Sequence, residues 1–178
     1  MDTLDANVMD IDNNGIDVTD AKKIFKLSIN KFIILSIVTL GFYDIWWIYK
    51  SWRFFQDLEK SDIMPAMRTI FGIFFIIPLF DKINKLAQKH GYEHSYASTA
   101  LFIGYLVVSL LSYLPKPFYL LTLFSFLFII PPMKALNFAM DHCEGFTATE
   151  QQSFNGRQIF LLIIGGVCWG LILFGLFQ

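Results

Sequence analysis

Apolar runs alternate with short polar stretches along most of the chain, and the lengths of those runs carry the first structural information. Segment 159–177 has 19 residues and no charge, and segment 98–114 has 17 and none. A bilayer core needs about 20 apolar helical residues, with roughly 17 near the lower limit, so each run predicts a transmembrane helix. Pro115-Lys116-Pro117 then predicts a tight turn, because proline cannot continue a helix and restricts the residue before it. Segment 118–130 is apolar throughout and becomes the return arm of a helical hairpin.

Two further runs have a different character. Residues 69–80 number 12, with Arg68 before them, Asp81 after them and Pro78 inside. At 1.5 Å per residue they cover roughly 18 Å of a ~30 Å core. Residues 32–49 are long enough for a marginal span, but Thr39-Leu40-Gly41 can end a helix there. Asp44 also costs ~2.5–3.5 kcal/mol at a bilayer centre. If both runs cross, with the N-terminus cytoplasmic, nine bases lie inside and five outside. If both dip in and return, thirteen lie inside and Lys116 alone outside, the layout that the positive-inside rule favours.

In that layout Asp44 follows the turn and N-caps a helix beginning at Ile45. This helix carries Trp46, Trp47, Tyr49, Trp52, Phe54 and Phe55 with Lys50, Arg53 and Lys60, a composition suited to the headgroup level. A second interfacial helix runs from Pro78 or Asp81 to His90, where Gly91 stops it. Ile83, Leu86 and Ala87 form its apolar face, opposite Lys82, Lys85 and Lys89.

Composition supports a membrane class: 55% of residues are hydrophobic, 17% aromatic and 16% charged, against about 45–50% apolar and 25% charged in soluble domains. The net charge of -1 gives no nucleic-acid signal. Its distribution is uneven, because residues 1–21 hold six acids and no base, and Lys22, Lys23, Lys26 and Lys31 follow. Residues 1–21 read as a disordered acidic tail before a single membrane domain over 22–178. Asp10-Ile-Asp12-Asn-Asn14-Gly15 resembles the start of a calcium loop, but Ala21 stands where the bidentate Glu belongs, so a solvated tail is the better reading. The acidic start is also unlike a secretory signal. Cys143 and Cys168 form no CxxC pair.

The run LSIVTLGFYDIWWIYKSWRFF over 35–55 contains Thr39, Gly41, Tyr43, Trp47, Tyr49 and Lys50 in a T-x-G-x-Y-x-x-x-W-x-Y-K spacing. It resembles the opening signature of a family of small bacterial multi-pass membrane proteins of unknown function. Pro65-x-x-Arg68 with FGIFFIIPLF, the stretch 114–132 leading to Asn137, Asn155 and Gly-Gly-Val-Cys-Trp-Gly of the last helix extend the likeness over roughly 25–178. The resemblance implies a bacterial inner membrane location and brings no activity or cofactor.

Several groups invite a chemical reading. His90, His94, His142 and Cys143 could supply zinc ligands, but Gly91 separates the first two and no recognised spacing is met. Solvated loop histidines are the simpler reading. Asp44 and Arg68 form a candidate intramembrane pair, weighed against a capping Asp44 and an Arg68 that snorkels to the interface. Gly166 and Gly170 make a G-x-x-x-G face for helix packing, within the monomer or between copies. No nucleophile elbow, zincin or P-loop motif is present.

These features predict an all-α integral membrane protein with three transmembrane helices, two short re-entrant or marginal membrane segments and interfacial amphipathic helices. The expected role is non-enzymatic, without cofactor. A basic aromatic cytoplasmic face would bind anionic lipid headgroups through Lys50, Arg53, Lys82, Lys85 and Lys89, or bind membrane partners or further copies of the chain. A small oligomeric transporter or channel component is the alternative, and a lipid-modifying enzyme the third class.

Overall fold

Thr39-Leu40-Gly41 sets the first feature of the architecture. A computed structural model describes residues 22–115, 118–143, 146–151 and 156–176, and in it α1 (Ile29–Val38) ends at this tripeptide and α2 (Phe42–Glu59) begins. The Thr39 hydroxyl donates to the Leu35 carbonyl at 2.7 Å and accepts from the Tyr43 amide at 3.0 Å. Leu40 and Gly41 both take positive φ, 54° and 87°, which lets the chain reverse within two residues. Glycine adopts this conformation without the penalty of about 1–2 kcal/mol that other residues meet. The reversal brings Phe32 to 6.1 Å from Tyr43 and 6.2 Å from Trp47, so α1 and α2 form an antiparallel hairpin.

The chain then bends at a single residue: α3 (Pro65–Ile70) ends and α4 (Gly72–Lys89) starts at Phe71, with φ -90° and ψ 33°. Arg68 and Phe75, one on each side of that turn, both lie against Trp52. α4 takes in the apolar run and the basic helix expected after it as one element, with Pro78 on its exposed side. It ends at His90, and Gly91 follows with φ 92°. Ile83 and Ala87 are fully buried, whereas Lys85 and Lys89 face outward.

A further reversal joins α5 (Ser98–Leu110) to a 3₁₀ stretch, Phe118–Phe128. Gly104 meets the Phe128 ring so closely that a Cβ would fall 2.1 Å from it. The stretch continues into α6 (Ile130–His142), because Pro131 and Pro132 occupy a first turn that needs no amide hydrogens. The result is Leu120–His142, 23 residues with a mean hydropathy of 1.6, the one helical run among the described residues long and apolar enough to cross a membrane. Ser98–Tyr113 and Gln158–Phe174 are shorter apolar helical runs within the described residues, which thus show one candidate span of this kind.

Two other expectations are corrected. The chain is mostly helical rather than all-α, since β1 (Lys22–Lys26) pairs in parallel with β2 (Phe146–Glu150) from Lys22–Phe146 to Lys26–Glu150. Parallel strands require a long crossover, and here every helix from α1 to α6 lies within it. The aromatic helix is not all surface: Trp47, Trp52, Phe54 and Phe55 of α2 are core residues, whereas Phe42, Ile45, Lys50 and Arg53 are exposed on its other side. Trp52 alone is covered by Phe55, Phe75 and the Arg68 guanidinium.

α7 (Gly156–Leu176) closes the fold against α1. Gly165 carries the contact: a Cβ there would stand 2.2 Å from the Val38 carbonyl oxygen. Four residues later on the same face, Trp169 Nε1 donates to the Ile37 carbonyl at 3.1 Å. Gly166 and Gly170 have no neighbour within 4 Å of their Cβ positions, so the expected G-x-x-x-G packing is displaced by one residue. One residue is 100° of helix rotation, which turns that pair away from α1.

Candidate functional site

The basic part of α2 opens onto a cleft of about 340 Å³. Lys50 and Arg53 stand on its α2 side with Trp46 and Tyr49, whose rings are 5.3 Å apart. Ile24 and Lys26 of β1, and Leu136, Asn137 and Met140 of α6, line it as well. Asn137 is fixed by donating Nδ2 to the Leu27 carbonyl at 3.0 Å, and Lys26 forms an ion pair with Asp141 at 2.6 Å.

An amide chain ties the cleft together. Gln151 Nε2 donates to Gln158 Oε1 at 2.6 Å, and Gln158 Nε2 donates to the Tyr43 hydroxyl at 2.9 Å. The Lys31 ammonium donates to the Gln151 carbonyl. Residues from α1, α2, the end of β2 and α7 thus meet at one place, although the Tyr43–Gln158 pair spans 115 positions. A broader depression of about 810 Å³ adjoins the cleft through Tyr49 and Arg53. The arrangement offers aromatic faces, amides and cations, which suits a polar anionic group with a flat or ring-shaped portion.

The other headgroup candidates lie elsewhere. Lys82 forms an ion pair with Glu59 at 2.6 Å and sits 5.4 Å from the Phe55 ring, and Lys85 and Lys89 are exposed along α4. None of the three lines the cleft.

Asp44 and Arg68 are not brought together. Asp44 is fully buried and accepts from the Ser36 hydroxyl at 2.6 Å through Oδ1, the Ser125 hydroxyl also lies against the carboxylate, and Oδ2 has no closer hydrogen-bond partner among the described residues. Arg68 instead lies 4.4 Å above the Trp52 ring and 5.4 Å from that of Phe75. The expected cap is also replaced, because α2 starts at Phe42 and Thr39 serves its first turn. The Thr-x-Gly turn makes this possible by starting the helix three residues earlier.

At the far ends of α4 and α6, Cys143 Sγ comes 3.5 Å from His90 Nε2. Burial pushes the Cys143 thiol up, and Lys89 partly offsets this. His142 stacks on Phe138 at 4.2 Å, and His94 meets the Tyr92 ring at 5.7 Å. Among the described residues, no three His, Cys, Asp or Glu side chains converge as a metal site. Lys116, Glu144, Asn155 and the calcium-like segment lie outside the described residues.

Of the cleft residues, Lys50 and Arg53 are legible in the sequence as bases of the aromatic helix. No spacing links Tyr43, Asn137, Gln151 and Gln158, which only the fold brings together. No curated protein and no solved structure matches the chain. A family model described as "Domain of unknown function (DUF4234)" matches residues 27–174, from just before α1 nearly to the end of α7. With 148 of 178 residues inside that match, the chain belongs to the DUF4234 family.

Proposed function

We propose that the protein is a non-enzymatic bacterial inner membrane protein that holds anionic lipid headgroups in the cleft beside α2. The observation that carries this reading is the gradient along one side of that helix. Phe42 and Ile45 are exposed apolar residues near its start, Tyr49 follows, and Lys50 and Arg53 are exposed further on. From Ile45 to Arg53 is ~12 Å of helix, the scale of a passage from acyl chain to headgroup.

The surface beyond α2 supports the same orientation. Ile70, Phe74, Val107, Leu110, Phe160 and Leu171 are all exposed, large apolar side chains that a bilayer would cover. In this reading α5, Leu120–His142 and α7 cross the bilayer. The α1–α2 reversal and the segment 69–80 enter and return, with their backbone covered by other parts of the protein. The bases around the cleft and the end of α4 face the cytoplasm with the N-terminus. A transport path would need a water-accessible Asp44 or Arg68; Asp44 is 0% exposed, and Arg68 is half-buried over the Trp52 ring.

Each base near an anionic surface contributes about 1 kcal/mol. Replacing Lys50 and Arg53 together by Gln should therefore weaken retention of phosphatidylglycerol by the detergent-solubilised full chain roughly tenfold or more. Replacing Lys85 and Lys89, which lie outside the cleft, should do less. Native mass spectrometry against phosphatidylcholine measures the difference, and equal retention of both lipids would sink the proposal.

A further inference from the structure

We propose that the acidic segment 1–21 docks in the basic cleft of its own chain and competes there with anionic headgroups. This rests on the headgroup reading for the competitor but not for the docking itself.

Charge is divided sharply between the two parts. Residues 1–21 carry six Asp and no base, whereas residues 22–178 carry fourteen bases against nine acids, a net +5. Part of that excess lines the cleft: Lys26, Lys50 and Arg53 stand there, with Asp57 as the carboxylate among the described lining residues.

The attachment point fits as well. The segment joins the fold at Lys22, two residues before Ile24, which lines the cleft. Two strand residues span roughly 7 Å, and an extended segment of this length could reach at most ~70 Å. Tethering so close to the cleft gives a short acidic segment an effective concentration in the millimolar range. A weak electrostatic contact is then enough to keep it bound without lipid, and an anionic headgroup must displace it. β1 holds the root in place through its pairing with β2. The segment lies outside the family match, so this competition would be an addition to the matched domain.

The test uses the full chain in detergent with a photo-reactive phenylalanine analogue in place of Tyr49, which lines both concavities. Irradiation without lipid should link position 49 to a peptide from 1–21. Changing all six Asp of the segment to Asn should abolish that link and raise phosphatidylglycerol affinity about tenfold, with phosphatidylcholine unchanged. A link with no gain in lipid affinity upholds docking and overturns the headgroup competition. Absence of the link overturns docking, whether or not the lipid affinity changes, because repulsion between the segment and the membrane would suffice for a change. Deleting residues 2–20 provides the second variant: it should bind phosphatidylglycerol as the Asn variant does, and binding no tighter than the intact chain would count against competition.

Discussion

Gly165→Ala should lower the melting temperature of the detergent-solubilised protein by roughly 5–10 °C, while Gly166→Ala and Gly170→Ala leave it unchanged or slightly higher. A Cβ at 165 would lie 2.2 Å from the Val38 carbonyl oxygen and 2.8 Å from both its carbonyl carbon and Cγ1. Two of those atoms are backbone, so α1 and α7 must move apart, and the Trp169–Ile37 hydrogen bond moves with them. Overpacking of this kind costs about 1–3 kcal/mol or more, and each kcal/mol is about 2–4 °C in a chain of this size. Positions 166 and 170 meet nothing within 4 Å, and alanine there gains up to about 1 kcal/mol of helix propensity. Gly104→Ala should fall between the two, because the obstructing atoms belong to the Phe128 ring, which can rotate away. Thermal unfolding followed by circular dichroism ranks the variants. A larger loss at 166 than at 165 would restore the G-x-x-x-G pair as the packing face.

Ser36→Ala is expected to cost about 1–3 kcal/mol, because it removes the hydroxyl that donates to the fully buried Asp44 carboxylate. Asp44→Leu should cost less, since the Ser36 hydroxyl can turn back to a carbonyl of its own helix. Replacing both partners should be milder than Ser36→Ala alone: an apolar pair of similar shape needs no hydrogen bond. Unfolding free energies of the single and double variants close the cycle, and strict additivity would show that the contact is not coupled. Exchanging charges between Asp44 and Arg68 supplies a sharper contrast. The double variant Asp44→Arg with Arg68→Asp should be no more stable than the worse single variant, because the two side chains have separate partners. Recovery would reinstate the ion pair.

The local devices were readable from the sequence because each depends on a few adjacent residues. Gly41 and Gly91 mark chain reversals and helix ends through positive φ. Ile83 and Ala87 face inward while Lys85 and Lys89 face out, since a 3.6-residue period separates them. The signature residues also acquire physical roles. Thr39 and Gly41 build the first turn, Tyr43 accepts from Gln158, and Trp47 packs on Phe32. The choice of partners was less legible. From the sequence Asp44 reads as a helix cap or an ion-pair member, and its bond to Ser36 emerges only once the register between α1 and α2 is known. The β1–β2 pairing was hidden for a related reason, as five-residue strands over 100 positions apart leave no periodic trace against long apolar helices.

By itself, the sequence determined the apolar segments, their interrupting turns, the polarity of α4 and the uneven placement of charge. These follow from short-range steric limits and from the cost of burying polar groups. Only the tertiary structure decided that α2 is a core helix, that Gly165 rather than Gly166 meets α1, and that Asp44 bonds to Ser36. It alone assembled the cleft, joining Tyr43 to Gln158 and Asn137 to Leu27 across more than 100 positions. Those contacts depend on the rotation and register of packed helices, and a rotation of one residue exchanges a buried side chain for an exposed one.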